Sequence, residues 1–109
     1  MNWEVDYLPE ARKDIKNLDR SKQIIVNMAI KKVKSNPLPQ AEGGYGKPLG
    51  NKHGVNLTTL LKIKLRGEGL RIVYKLVRTE TSMLIVVVGA REDAEVYEIA
   101  QRRLVSHNL

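Results

Sequence analysis

The stretch LLKIKLRGEGLRIVYKL, residues 60–76, has the pattern of two β-strands joined by a tight turn. In its first half apolar and basic side chains alternate, and alternate side chains of a strand point to opposite faces of a sheet. The apolar face carries Leu61, Ile63 and Leu65. The basic face carries Lys62, Lys64 and Arg66. This pattern predicts a sheet with one apolar and one strongly basic face.

The turn sequence RGEGL decides how the two strands pair. A two-residue loop of Gly67 and Glu68 suits a type II′ turn, which favours glycine first, and places Lys64 opposite Arg71. A four-residue loop gives the same pairing, whereas a three-residue loop does so only with a bulge. Like charges directly opposite each other destabilise a sheet by up to about 1 kcal/mol. Two interpretations stay open: a solvated face whose lysines discourage edge aggregation, or a rigid cluster of cations that binds a phosphate.

The remaining segments predict an α+β fold of order β-α-α-β-β-β-α, with helices packed on a mainly antiparallel sheet. Strands are expected at residues 3–7, 60–66, 70–77 and 83–90, and helices from Pro9, at 21–35 and at 94–104. The strand at 83–90 is apolar on both faces, so we expect it to be central and covered by helices on one side. Residues 40–59 are predicted to be a long loop, with at most a short strand or edge segment.

Helix ends and helix faces can also be predicted. Asp19 or Ser21 is expected to cap the second helix, and Asp93 the last one. The core stripe of the second helix is predicted to be Ile25, Met28, Ala29 and Val33. That of the last helix is predicted to be Val96, Ile99, Ala100 and Leu104. Residues 105–109 are expected to fray.

The charge of the chain favours a polyanionic partner. It has 19 lysine and arginine residues against 12 acidic ones, a net charge of +7. A surplus of this size on a small chain is typical of binding to nucleic acid or the ribosome, with an acidic protein partner or solubility alone as alternatives.

Several classes of protein are excluded or disfavoured. Without cysteine there is no disulfide and no thiolate–metal site. The 109 residues suit one domain, expected to span residues 1–109. No apolar run is long enough to cross a bilayer and the first residues are unlike a signal peptide, so the expected location is the cytoplasm, away from membranes. The stretch GGYGKPLG fails the phosphate-loop pattern, because Lys47 precedes Pro48 and Ala41 replaces the first glycine.

Three motifs of the second half carry a resemblance to a known family. They are KIKLR, then GLRIVY, then GAREDAEVY. Together they resemble the RelE family of bacterial toxins, which are messenger-RNA endonucleases of toxin–antitoxin pairs. YLPEARKDIKNLDRS resembles the first helix of that family and GKPLG its central loop, so the resemblance covers nearly the whole chain. It implies a RelE-like α/β sandwich of the microbial ribonuclease type. The segment 40–59 looks long for the family.

The resemblance implies an active site and its partners. The implied catalytic residues are Lys62, Lys64, Arg71, Arg91 and Tyr97. The implied reaction is attack of an RNA 2′-hydroxyl on the adjacent phosphodiester in the ribosomal A site, without metal or cofactor. Residues expected to bind RNA or the ribosome are Arg66, Lys75, Lys31 and Lys34. The implied protein partner is a RelB-like antitoxin.

Each implied role has a physical reason. Lysine acts as a base only if its pKa falls far below about 10.4, and neighbouring cations lower it. Lys64 is therefore the expected base, while Lys62 and Arg71 hold the phosphate. Arg91 is expected on the leaving-group side, as acid or electrostatic stabiliser. Tyr97 is expected to stack on or orient a base, or alternatively to pack as a partly buried side chain.

Two other functions remain open at the level of sequence. One is a ParE-like toxin that blocks DNA gyrase by binding, although that branch generally lacks the lysine, arginine and tyrosine set. The other is a non-catalytic module that binds nucleic acid or an antitoxin. His53 and His107 are expected to be exposed polar residues rather than catalytic ones.

Overall fold

The computed structural model describes residues 3–52, 55–90 and 92–109. Within these ranges a five-stranded sheet packs with three α-helices. The strands are β1 (Glu4–Tyr7), β2 (Lys47–Lys52), β3 (Val55–Leu65), β4 (Leu70–Val77) and β5 (Ser82–Gly89). The helices are α1 (Pro9–Lys16), α2 (Arg20–Val33) and α3 (Asp93–Ser106). None of the described helices has the length and apolar character that a membrane crossing requires.

The sheet confirms the predicted α+β class. Its order is β1-β5-β4-β3-β2, with β1 parallel to β5 and the other neighbours antiparallel. β5 is an interior strand, as expected, and its side chains are buried on both faces. The expectation that helices cover β5 on one side alone is wrong. The face of Lys62 meets α3, whereas Tyr74, on the opposite face, donates a 2.6 Å hydrogen bond to the Pro37 carbonyl just beyond α2.

The first two helices begin where the sequence predicts. Pro9 opens α1, and the Asp19 carboxylate caps α2 by accepting from the Lys22 amide at 2.9 Å. The predicted core stripe of α2 is wrong at Met28, which is 66% exposed. The fully buried positions are Val26, Ile30 and Val33. Both sets fit a helical period on this broadly apolar helix, and the position of the sheet selects between them.

The prediction of a loop at 40–59 that allows a short edge segment is confirmed at edge strand β2 and is wrong at 55–59, which begin β3. A 3-10 turn at Gln40–Glu42 leads into edge strand β2, and β3 begins at Val55 rather than at residue 60. β2 contains Pro48, which an edge strand tolerates, and its register with β3 shifts between Pro48 and Gly50. Glycine and proline interrupt the alternation of apolar and polar residues in β2, so the sequence pattern did not predict that β2 pairs with β3. His53 and Gly54 lie outside the described residues.

The turn between β3 and β4 has four residues. Lys64 pairs with Arg71 and Leu65 with Leu70, so the predicted register is confirmed. The connection is a 3-10 turn at Arg66–Glu68 that closes at Gly69, whose φ of 66° suits glycine. The two-residue type II′ turn is therefore wrong, and Arg66 lies in the turn rather than at the strand end.

Helix α3 is longer and better anchored than predicted. It begins at Asp93, with Glu92 at the capping position, and runs to Ser106. Val96, Ala100 and Leu104 are buried and Ile99 is half-buried, as expected. The predicted fraying of 105–109 is wrong.

Side chains of α1 and α3 complete the exposed edge of β5. β1 pairs with β5 only as far as Tyr7 and Ile85. Beyond that point the amide of Val88 donates to the Asp14 carboxylate at 3.0 Å. The carbonyl of Val86 accepts from the Arg103 guanidinium at 2.9 Å. Arg103 and Asp14 also bridge each other at 2.7 and 3.1 Å. This contact replaces the hydrogen bonds of a missing strand segment and fixes α3 to the sheet.

Candidate active site

The basic face predicted from the sequence is assembled by the β3–β4 register. Lys64 and Arg71 are directly opposite each other, and Lys62 lies two residues along the same face, opposite Val73. Directly opposed residues of an antiparallel pair have Cβ atoms about 4.5–5.5 Å apart. Lys64 is exposed and Arg71 is half-buried. We call Lys62, Lys64, Arg71 and Tyr97 the sheet cluster.

Lys62 is the buried member of the sheet cluster, with only 5% of its surface exposed. Its Nζ donates a 3.0 Å hydrogen bond to the Tyr97 hydroxyl and lies 5.5 Å from the centroid of that ring. Burying an ammonium group is costly unless polar partners compensate it. The hydroxyl and the face of the ring contribute to that compensation.

Tyr97 is itself part of the core, with 4% exposed. The sequence offered two roles for this residue, contact with an RNA base or packing. In this structure the ring packs in the core while the hydroxyl orients Lys62. Because Tyr97 stands on the second turn of α3, whatever fixes α3 also fixes the position of the Lys62 ammonium.

Among the described residues, three contacts with other elements hold the far end of α3 and the residues that follow it. One is the Arg103–Asp14 bridge on the edge of β5. In the second, the His107 ring contacts the Glu10 carboxylate at 2.9 Å. The pKa of Glu10 is lowered, first by a hydrogen bond from its own backbone amide and then by the bond from His107. In the third, Lys75 donates to the main-chain oxygen of Leu109 at 3.2 Å. Lys75, predicted to bind RNA, thus lies at the end of α3.

Arg66 joins the sheet cluster from the turn. It is exposed, and with Lys64 and Arg71 it lines a cleft of about 230 Å³ at the end of the hairpin. Arg91, the remaining predicted catalytic residue, lies outside the described residues.

Lys31 and Lys34 are not brought to this site. With Trp3 and Tyr7 they line a separate groove of about 650 Å³ between α2 and β1, the α2 groove. β1 and β3 are separated by β5 and β4, and three strand spacings of about 4.8 Å place them roughly 14 Å apart. The two basic regions therefore occupy different parts of the surface.

Two residues beside the site were missed by the sequence reasoning. Lys47 pairs with Lys62 across the β2–β3 ladder, so the two lysines share a face. Tyr45 precedes β2 and is 45% exposed, with the Lys32 ammonium 5.2 Å from its ring centroid. A prediction of strand β2 would have found Lys47, because its position opposite Lys62 follows from the register.

Comparison with known sequences gives consistent relatives. A RelE-like toxin protein of Escherichia coli is 32% identical over 105 residues, covering 95% of this chain and 99% of the relative. The mRNA interferase toxin RelE of E. coli K12 is 41% identical over 44 residues, covering 40% of this chain and 46% of the relative. No family model matches the chain.

Solved structures agree with these relatives. A mutant of E. coli toxin RelE in which two arginines are replaced by alanine, in the free state, has a TM-score of 0.73 and 25% identity. The match covers 95% of this chain and 99% of that chain. The toxin in the intact E. coli RelBE toxin–antitoxin complex has a TM-score of 0.63 and 22% identity, covering 83% of this chain and 98% of its own. The second likeness concerns the fold alone.

Proposed function

The chain belongs to the RelE family of toxins, and from that premise we propose that it is an endoribonuclease that cuts messenger RNA in the ribosomal A site. One observation carries the proposal: the β3–β4 register sets Lys64 opposite Arg71, beside the buried Lys62. The mRNA interferase name of the E. coli K12 relative supports the same activity. By inhibiting translation, such cleavage makes the protein toxic.

In the proposed reaction the 2′-hydroxyl of a message nucleotide attacks the adjacent phosphorus. Lys64, exposed at the end of the hairpin, accepts the hydroxyl proton as general base. Its neighbour Arg71 holds the phosphate, because a planar guanidinium can bind two oxygens at once. The bond from phosphorus to the 5′-oxygen breaks, that oxygen takes up a proton and leaves as a hydroxyl, and the other product carries a 2′,3′-cyclic phosphate. We assign Arg91 to the leaving-group side, as its place in the family motif suggests.

Lys62 and Tyr97 have a different part in this proposal. The ammonium of Lys62 is directed by the Tyr97 hydroxyl at 3.0 Å, so it is held in one position before RNA arrives. A preorganised charge stabilises a developing phosphorane better than one that must first be oriented. Tyr97 thus acts through Lys62.

The proposed reaction is independent of metal. The sheet cluster and Arg66 supply ammonium and guanidinium groups, which repel a divalent cation and already neutralise phosphate charge. The sheet cluster contains no histidine, which is the usual acid and base at neutral pH, so catalysis depends on accurate positioning of the scissile bond. We propose that the ribosome supplies this positioning and that the basic surface, including Arg66 and Lys75, contacts ribosomal RNA.

We also propose a RelB-like antitoxin as the protein partner. The support is the complex of RelE with RelB in the E. coli relative of the same fold. A basic protein of net charge +7 is neutralised by a partner of acidic character. Recovery of the protein from its host by affinity capture should yield a small protein bound to it, and repeated recovery of the free chain would contradict this.

The decisive test is primer extension on a message under translation, with and without the protein. We expect new 5′ ends within A-site codons, unaffected by a metal chelator at the chemical step. A 2′-deoxy nucleotide placed 5′ of the cut should block cleavage, because the nucleophile is absent. Cleavage of that deoxy message at the normal rate would refute the reaction. Inhibition of gyrase supercoiling with intact messages would instead favour the ParE-like alternative.

A further inference from the structure

A second cleft opens at the step in the sheet edge beside the sheet cluster. β2 begins at Lys47, opposite Lys62, whereas β3 continues to Leu65, three residues beyond the point where its partner begins. The cleft at this step, the edge cleft, has a volume of about 210 Å³. Its polar lining comprises Gln40, Tyr45, Lys47, Lys62, Lys64 and Arg66.

Tyr45 presents an exposed aromatic ring on a fixed backbone. Its amide donates to the carbonyl of Asn36 at 3.1 Å, and the next amide, of Gly46, donates to Leu38 at 3.1 Å. Gly46 is also tightly enclosed, because a Cβ there would clash with the Tyr74 hydroxyl. The ring is thus displayed by a rigid segment while 45% of the residue remains exposed. Exposed aromatic rings beside cations are the platforms on which proteins stack nucleic-acid bases.

The charges of the edge cleft suit a nucleotide. Lys47 faces Lys62 across the ladder, which is a second like-charge pair next to that of Lys64 and Arg71. Such pairs oppose folding. Glu42, the acid of the neighbouring 3-10 turn, is bound by Arg78 at 2.6 Å and 3.0 Å. The cleft therefore places three lysines and an arginine close to an aromatic ring.

We propose that the edge cleft is a subsite for the message nucleotide next to the scissile phosphate. Tyr45 stacks on its base, Lys47 and Arg66 bind its phosphate, and Gln40 contacts the edge of the base. This inference rests on the proposed function, because Lys62 and Lys64 line both sites. The volume is smaller than the roughly 300–1,000 Å³ of pockets that enclose small-molecule ligands. A cleft of this volume suits a shallow site that contacts one base.

The experiment compares the wild-type protein with Tyr45→Leu on ribosomes that carry messages with one base removed. Single abasic positions are placed in turn across the A-site codon and its neighbours, and single-turnover cleavage is measured by primer extension. On the intact message, Tyr45→Leu should cleave about tenfold more slowly, which corresponds to about 1.4 kcal/mol of stacking. At one abasic position the cleavage rate of the wild type should fall about tenfold relative to its rate on the intact message. The rate of Tyr45→Leu should fall less than about twofold relative to its own rate on the intact message, because the same contact cannot be lost twice.

Matched variants separate stacking from charge and from folding. Tyr45→Phe should cleave within about twofold of the wild type, because stacking needs the ring and not the hydroxyl. Lys47→Ala should slow cleavage at every abasic position alike, because phosphate contacts are indifferent to the base. Lys16→Ala, an exposed lysine of α1, should leave cleavage unchanged.

The outcomes distinguish this inference from the proposed function. Equal cleavage by wild type and Tyr45→Leu at every position would overturn the subsite alone. A slower Tyr45→Leu with no dependence on any message base would also overturn it, because the ring would then contact something other than the message. Absence of cleavage by the wild-type protein would overturn both proposals.

Discussion

The sheet cluster and the α2 groove are both basic, yet their charges are held in different ways. In the sheet cluster Lys62 is 5% exposed and hydrogen-bonded to Tyr97, and Lys64 faces Arg71 across a rigid ladder. In the α2 groove Lys31, on α2, is exposed and Lys34, the residue that follows α2, is half-buried. The sheet cluster buries one ammonium and sets two further cations opposite each other, whereas neither lysine of the α2 groove is buried.

This difference indicates where function constrains the chain. Solvated lysines cost a fold little and are explained by solubility alone. A buried ammonium loses hydration worth several kcal/mol, and an opposed like-charge pair adds a further penalty. The free energy lost in assembling the sheet cluster is consistent with a role in binding or catalysis. The two lysines of the α2 groove impose no comparable loss of stability.

The largest expected difference between the two regions is in catalysis. Lys64→Ala should slow A-site cleavage by about 100- to 10,000-fold, the usual contribution of a general base, with ribosome binding nearly intact. Lys31→Ala should slow it by about twofold or less. Primer extension and co-sedimentation with ribosomes measure the two quantities. Lys64→Ala should also raise the free energy of unfolding by up to about 1 kcal/mol, because the opposed pair is relieved. Equal losses in both variants would erase the comparison.

Arg71→Ala should slow cleavage by about 100-fold and change its pH dependence. Removing a neighbouring positive charge raises the pKa of the Lys64 amine. A base works only when deprotonated, so the rise of rate with pH should move to higher pH. A pH series of single-turnover rates for both proteins measures this. An unmoved profile would mean that Lys64 is not the base, even if the rate falls.

The burial of Lys62 can be tested through stability alone. Tyr97→Phe removes an acceptor of a buried ammonium and should lower the free energy of unfolding by about 1–3 kcal/mol. Tyr7→Phe, in the α2 groove, is the matched change and should stay within about 0.5 kcal/mol. Urea titrations followed by circular dichroism give both values. A loss for Tyr7→Phe as large as that for Tyr97→Phe would remove the contrast between the regions.

Salt dependence tests whether the α2 groove contacts RNA at all. If Lys31 and Lys34 each neutralise one phosphate, each alanine variant should reduce the slope of log affinity against log salt by about one. The effect on ribosome affinity at physiological salt should be severalfold. Slopes that match the wild type would assign the groove to solubility.

The smallest expected effect concerns the solvated contact at the far end of α3. The pKa of Glu10 is lowered in the folded protein by its own backbone amide and by His107. Its contribution is therefore complete above the unfolded value of about 4.3 and disappears as the pH falls through the lower folded value. Below about pH 4.3 the stability of Glu10→Gln should decline less steeply than that of the wild type. Parallel thermal melts from pH 5 to pH 3 would show this, and identical slopes would contradict it.

Local pattern was sufficient for much of the fold and part of the site. Alternation along residues 60–76 predicted the basic face, and the turn sequence predicted that Lys64 would face Arg71, because side-chain period and loop length are local properties of the backbone. Proline at the start of α1 and aspartate at the start of α2 likewise predicted where these helices begin, because capping is a local property. The motifs were long enough to indicate the family that the relatives then confirmed.

Tertiary structure decided everything that depends on a distant partner. The buried Lys62 bonds to Tyr97, 35 residues away, and α3 is held in place by the bridge from Arg103 to Asp14, 89 residues away. Lys47 joins the site only because an irregular edge strand pairs with β3. No periodicity in the sequence encodes these approaches. They follow from which surfaces exclude water together once the sheet has formed, and that is a property of the packed molecule and not of any segment.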